Sequence, residues 1–158
     1  MKSSLKKGGF TLIEILVVIG LIAILAAIVL IAINPARQFA QGRDSQRTSN
    51  INSILNAIGQ RMADNKGNFA GLNAANGLTC PTLPPSTTTV TTTSGGGGGE
   101  LGCLVPTYIP ALPLDPAIGS GTNTGYVVRA DSSTGRIWVA ATTTEGSIPR
   151  PTDLYVVR

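Results

Sequence analysis

The side chains that could do chemistry in this 158-residue sequence are few. Glu14 is the only charged residue between Gly8 and Ile33, and Cys80 and Cys103 are the only cysteines. There is no His, the charged fraction is 13%, and no serine or threonine has a base partner visible in the sequence. The sequence also lacks a metal-ligand cluster. It therefore predicts a protein that is not an enzyme and that uses no cofactor.

Glu14 stands at the head of a run that is long enough to cross a membrane. Residues 15–33 are nineteen consecutive residues without a charge, Pro or Asn, and about 20 apolar residues in a helix span a hydrocarbon core of roughly 30 Å. A carboxylate deep in a bilayer costs on the order of 3 kcal/mol. Because the run holds no Lys, Arg or His, we expect the partner of Glu14 to come from another chain or from a new N-terminus made by proteolysis.

The residues before the apolar run are basic. Lys2, Lys6 and Lys7 precede it without an acid, so the N-terminus is predicted to stay in the cytoplasm while everything after Ile33 is translocated. Three of the twelve basic residues lie in this leader, and without it nine basic side chains face eight acidic ones. The high pI of 9.4 is therefore largely an effect of the leader. It does not indicate nucleic-acid binding, which calls for a clustered basic face.

The order of these features resembles the processing signature of type IV pilins and pseudopilins. A basic leader ends in Gly9, and Phe10-Thr-Leu-Ile-Glu14 then opens the apolar helix. The resemblance implies that a prepilin peptidase cuts between Gly9 and Phe10 and methylates the new N-terminal Phe10. It also implies that Glu14 supplies an assembly charge. In an array of helices, the carboxylate of one subunit would pair with the Phe10 amine of the next, a head-to-tail contact that generates open filaments.

The resemblance also implies partners and a location. The partners are further copies of the chain in a helical filament, prepilin peptidase, a pilus assembly platform, other minor pilins and membrane lipid. The chain would cross the cytoplasmic membrane once, with its N-terminus inside, and then join an extracellular or periplasmic filament. Two alternatives remain open beside a surface pilus: a pseudopilin of a type II secretion system, and a permanently anchored protein whose head binds a ligand. A signal anchor or secretory signal peptide is the simpler reading of the same stretch, but a signal peptide has a shorter apolar region.

The apolar run and the segment after it are predicted to form one long helix with an interruption. Residues 1–9 are the leader, 10–34 the transmembrane and filament-core helix, and 35–66 its amphipathic continuation, with Pro35 disturbing the helix. Apolar residues at helical spacing predict a face packed on a globular head: Ile51, Ile54, Leu55, Ile58 and Met62. The earlier part, with Arg37, Arg43, Asp44 and Arg47, is predicted to be exposed. Asn65-Lys66-Gly67 is a typical helix end.

Residues 67–158 are long enough for one small head domain. Translocation places Cys80 and Cys103 in an oxidising compartment, so we expect them to form a disulfide. The alternative is two free thiols, since no His or further Cys is available to complete a zinc site. Between them, residues 86–99 are rich in Thr and end in five consecutive glycines. This composition predicts a flexible surface loop.

The last part of the head is predicted to be a small antiparallel sheet. Residues 126–130 and 136–141 are strand-like and are joined by a turn ending in Gly135, and residues 154–157 form a third strand. Trp138 is predicted to be a packing residue. The overall prediction is an α+β, type IV pilin-like fold. In this fold a long N-terminal α-helix, whose first half is transmembrane, packs on a small antiparallel β-sheet head.

The resemblance further implies that an acidic loop could hold a calcium ion. Related pilins can hold calcium in an acidic loop, and the oxygen ligands available here are Asp115, Asp131 and Asp153. No acidic loop with the usual calcium-binding spacing is present. Turn formation explains Asp115 and Asp131 equally well, and no metal site is predicted.

Overall fold

The computed structural model describes residues 9–95, 97–145 and 155–157. Its contacts divide the chain into two compact units, Met1–Gln38 and Phe39–Arg158. The described elements are two long helices, six short strands and one turn of 3-10 helix at Gly102–Leu104. A long apolar N-terminal helix, a second helix and small antiparallel sheets make up an α+β, pilin-like fold, as the sequence predicts.

Helix α1 runs from Leu12 to Ala32 and buries none of its side chains. Among the described residues, it is the one helix long and apolar enough to cross a membrane. The predicted interruption at Pro35 is confirmed, because α1 ends at Ala32 and α2 begins at Pro35. Proline is favoured at a first helical position, where its missing N–H is not needed. The Asn34 side chain accepts a hydrogen bond from the Arg37 amide at 3.2 Å and so caps the new helix.

Helix α2, Pro35–Asp64, carries the predicted apolar face into the core of the head. Ile51, Ile54, Leu55 and Ile58 are buried, and Met62 is partly buried against them. The predicted helix end is also confirmed. Lys66 and Gly67 follow with φ angles of 52° and 89°, the left-handed conformation that stops a helix.

Two antiparallel sheets complete the head. Strands β1 (Gly71–Asn73) and β2 (Leu78–Cys80) form a short hairpin. Strands β3 (Thr88–Thr91), β4 (Asn123–Ala130), β5 (Ile137–Ala141) and β6 (Tyr155–Val157) form a second sheet in the order β3-β4-β5-β6. The predicted β4–β5 hairpin and the strand at β6 are confirmed. Leu154, which the sequence assigned to the last strand, lies outside the described residues.

The sheet buries one face against α2. Alternate side chains of β4 and β5 point into the core, as the two-residue period of a strand requires. They are Tyr126, Val128, Ile137, Val139 and Ala141. These residues join the apolar face of α2 and the two cysteines in one buried cluster.

The prediction that residues 86–99 form a flexible loop is wrong for part of that stretch. Thr88–Thr91 form strand β3, paired with β4, and Val90 is completely buried. β-branched Thr and Val have a high strand propensity, which offsets the low complexity of the segment. Gly99 is buried as well, and its carbonyl oxygen accepts a hydrogen bond from the Thr91 amide at 2.9 Å.

Candidate functional site

The predicted cleavage position lies just before α1. Gly9 and Phe10 are exposed and not helical, and the Phe10 side chain is 86% exposed. Among the described residues, apart from its chain neighbours, no atom lies within 4 Å of the place where a Cβ on Gly9 would be. A peptide bond with these properties is open to a peptidase that needs a small residue on one side and an aromatic residue on the other.

Glu14 takes part in a capping box at the start of α1. Its carboxylate accepts hydrogen bonds from the Thr11 amide at 2.9 Å and from the Thr11 hydroxyl at 3.0 Å. The Thr11 hydroxyl in turn accepts from the Glu14 amide at 3.3 Å. These bonds satisfy backbone donors that the first turn of a helix leaves without partners. Glu14 therefore has polar partners within its own chain, in addition to any that assembly supplies.

The sequence contained a signal for this capping box. Thr11 and Glu14 have the Ser/Thr-x-x-Glu spacing, immediately before an apolar run. Reading Glu14 only as an unpaired membrane charge overlooked that local role.

A second group of charged residues lies inside the head. Arg47 on α2 donates from Nε and Nη2 to both carboxylate oxygens of Asp115, at 2.7 and 3.2 Å. Its Nη1 donates to Asp44 at 2.8 Å and to Glu145 at 3.0 Å. Arg43 binds the same Glu145 with two hydrogen bonds of 2.7 and 2.9 Å. We call these five side chains the ion cluster.

The ion cluster corrects the prediction of exposure for Asp44 and Arg47, whereas Arg37 is exposed as predicted. Arg47 and Asp44 are each only 1% exposed, and Asp115 is 3% exposed. The prediction failed because the segment has little apolar content, and its burial comes from ion pairing with residues that are distant in sequence. Phe39, by contrast, is 69% exposed.

Hydrogen bonding keeps two acids of the cluster, Glu145 and Asp115, ionised. Bonds from Arg43 and then Arg47 lower the pKa of Glu145 to about 2. For Asp115, burial alone would raise the pKa, but the bonds from Arg47 and from the amides of Ala117 and Ile118 outweigh burial and lower it. The cluster therefore holds two guanidinium groups and ionised carboxylates in a closed network that ties α2 to two segments of the head.

Asp115 and Asp131, the two candidate calcium ligands among the described residues, are bound by other groups. Both oxygens of Asp115 bind Arg47. Asp131 accepts hydrogen bonds within its own turn, from Ser133 and Thr134, which lower its pKa to about 2. Asp153 lies outside the described residues. Within residues 9–95, 97–145 and 155–157, no group of three or more His, Cys, Asp or Glu is placed to hold a metal ion.

Cys80 and Cys103 are joined in a disulfide, as the sequence predicts. The bond links the end of β2 to the 3-10 helix, across a sequence separation of 23 residues. The side chains of Asn73 and Asn76 each donate to the Cys103 carbonyl at 2.9 Å. Closing a loop of this length contributes about 3 kcal/mol to stability.

Comparison with known families concerns the predicted cleavage position and the start of α1. Residues 4–30 match the family model described as the prokaryotic N-terminal methylation motif. Comparison with curated proteins and with solved structures found no match. The matched segment contains Gly9, Phe10, Thr11 and Glu14, together with most of α1.

The N-terminal segment therefore carries the signature of prepilin-like proteins, the class that includes type IV pilins and pseudopilins. Proteins of this class are structural and are not enzymes. The motif implies processing by a prepilin peptidase and assembly of the pilin type in general, and together with α1 it indicates anchoring in the membrane at the N-terminus.

Proposed function

We propose that this protein is the structural subunit of a type IV pilus-like filament. A prepilin peptidase would cut between Gly9 and Phe10 and methylate Phe10, and the mature chain would polymerise through α1. The observation that carries the proposal is the exposed Gly9–Phe10 bond placed directly before a capped helix that has Glu14 in its first turn.

The exposure of α1 supports the polymerisation step. The large apolar side chains of this helix are each exposed by about half or more, and none of its 21 residues is buried. An apolar surface of this extent is unfavourable in contact with water, so another apolar surface must cover it. Membrane lipid would cover it before assembly, and neighbouring copies of α1 would cover it in the filament core.

Cleavage would also supply a cation for Glu14. The new α-amino group of Phe10 lies at the N-terminal end of α1, where the carboxylate of Glu14 also lies. In a head-to-tail array, Glu14 of one subunit would meet the Phe10 amine of the next subunit. That pairing would set the axial register of the filament, and the assembly platform and minor pilins would be the partners that start it.

The proposal is tested by the intact mass of the protein in a sheared cell-surface fraction and in the membrane fraction of the same cells. A species starting at methylated Phe10 in the sheared fraction is the expected result. The same species confined to membranes would favour the pseudopilin of a type II secretion system. A chain that keeps residues 1–9 would contradict the proposal and favour a permanently anchored binding protein.

A matched variant controls for processing. Gly9→Glu places a large acid where the motif has a small residue, so the leader is expected to remain attached and the sheared fraction to be empty. Gly42→Glu makes the same change at an exposed glycine of α2 and is expected to be cut normally.

A further inference from the structure

The outer face of the four-stranded sheet, opposite the face that packs on α2, carries a cleft. On this face Arg129 of β4 lies opposite Trp138 of β5, and Ala140 of β5 lies opposite both Val127 of β4 and Tyr155 of β6. The small side chains of Val127 and Ala140 leave a depression between larger neighbours. Its volume is about 400 Å³, which is within the usual range for a small-molecule site.

Aromatic side chains form one side of this cleft. Trp138 and Tyr155 stack with ring centroids 4.6 Å apart and an angle of 13° between their planes. The guanidinium carbon of Arg129 lies 4.5 Å from the centroid of Trp138. The indole therefore has Tyr155 and Arg129 as neighbours. Tyr155 lines the cleft and is 47% exposed, so it offers aromatic surface to a ligand.

The cleft also has a cation and hydroxyl groups. Arg129 lines it, and no carboxylate of the described residues forms an ion pair with Arg129. Thr87 and Thr142 also line the cleft. The Thr142 hydroxyl donates to the Gly125 carbonyl at 2.9 Å, which leaves its oxygen able to accept from a ligand hydroxyl.

We propose that this cleft binds an acidic carbohydrate, namely a glycan that carries uronic acid residues. The C–H face of a pyranose ring packs on exposed aromatic surface, here that of Tyr155, and the threonine hydroxyls pair with sugar hydroxyls. The guanidinium of Arg129 pairs with the uronate carboxylate, a geometry that arginine suits well. One cation in the cleft favours a ligand with one carboxylate per ring over single-stranded nucleic acid, whose binding uses a groove with many cations.

The binding test uses the full chain in nanodiscs of zwitterionic phosphatidylcholine, so that no sugar-based detergent competes. Trp138 is the single tryptophan of the chain, so its fluorescence reports on this cleft alone. Tri- to hexa-galacturonate are titrated against the carboxyl-reduced, neutral forms of the same oligosaccharides and against a thymidine hexanucleotide. We expect saturable binding of the uronates, weakened by salt, and at least about tenfold weaker binding of the neutral forms and of the oligonucleotide.

Variants separate the cleft from the general charge of the head. Arg129→Gln is expected to weaken uronate binding about tenfold or more and to leave the neutral oligosaccharides unaffected. Arg136→Gln removes one charge from the neighbouring turn, outside the cleft lining, and is expected to bind within about twofold of the wild type. Near-ultraviolet circular dichroism checks that both variants are folded.

Three results would overturn the proposal. They are the absence of a saturable response to uronates at millimolar concentration, equal uronate affinity of the wild type and a folded Arg129→Gln variant, and tighter binding of the oligonucleotide than of the uronates. All three are independent of whether the chain assembles into filaments, so they leave the proposed function unaffected.

Discussion

Arg47 is one of the residues that fix α2 to the rest of the head. It is 1% exposed and makes hydrogen bonds to three carboxylates. Removing one partner from a buried ion network leaves uncompensated charge, which costs about 3–5 kcal/mol. Arg47→Met is therefore expected to lower the free energy of unfolding of the head by about that amount. Thermal unfolding followed by the fluorescence of Trp138 measures the change.

Two further variants control this experiment. Arg136→Met replaces an exposed arginine and is expected to change stability by less than about 0.5 kcal/mol. Arg47→Met combined with Asp115→Leu removes a buried carboxylate as well, so it is expected to recover part of the loss. A single Arg47→Met variant as stable as Arg136→Met would show that the ion cluster does not hold the head together.

Glu145 and Asp115, two acids of the ion cluster, also predict how stability depends on pH. Their pKa values are lower in the folded protein, about 2 for Glu145 and below the usual value for Asp115. Their contribution to the free energy of unfolding is therefore complete above the unfolded-state pKa values near 4. It is lost as the pH falls from there toward 2. We expect the unfolding temperature of the head to drop between about pH 4.5 and 2. Glu145→Gln should flatten part of that drop, whereas Asp64→Asn, outside the cluster, should leave the wild-type profile.

Strand β3 shows, at the level of an element, how a sequence of low complexity becomes ordered. A Cβ added to Gly99 would overlap the Thr89 carbonyl oxygen, whereas one added to Gly97 would meet only the flexible side chain of Glu100. Gly99→Ala is therefore expected to destabilise the head by about 1–3 kcal/mol, and Gly97→Ala is expected to be close to neutral. Thermal unfolding of both variants tests this, and equal stabilities would mean that Gly99 is not packed against β3.

The elements differ in how far the sequence predicts them, for physical reasons. The apolar face of α2 and the β4–β5 hairpin have clear periods and clear turn residues such as Gly135, so local patterns were sufficient. Strand β3 and the ion cluster depend on partners far along the chain. Arg47 and Asp115 are 68 residues apart, and no local sequence pattern predicts such a pairing. The Thr11–Glu14 capping box, by contrast, is a local pattern, so it could have been predicted from the sequence.

At the level of the whole molecule, the two compact units differ in whether they bury their own apolar side chains. Met1–Gln38 contains a helix with no buried side chain, whereas Phe39–Arg158 has its own apolar core, its own disulfide and its own ion cluster. The head therefore has internal sources of stability. The exposed apolar helix is stable only in lipid or against other helices. This division is what a subunit needs if it is to leave the membrane and enter a filament with its head folded throughout.

Glu14 has two possible roles, because it both caps α1 and carries a charge. Variants at this position can separate them. Glu14→Gln keeps the capping box, in which Gln serves as well as Glu, but it removes the charge that would meet a neighbouring Phe10 amine. If the charge drives assembly, Glu14→Gln and Glu14→Ala should both be cut after Gly9. Both should give about one tenth or less of the wild-type yield in the sheared fraction, because losing about 1.4 kcal/mol per subunit contact corresponds to a factor of about ten. Glu100→Gln, a head acid, should assemble normally. Wild-type yield from Glu14→Gln, with only Glu14→Ala defective, would assign Glu14 a capping role and contradict the charge-pairing mechanism.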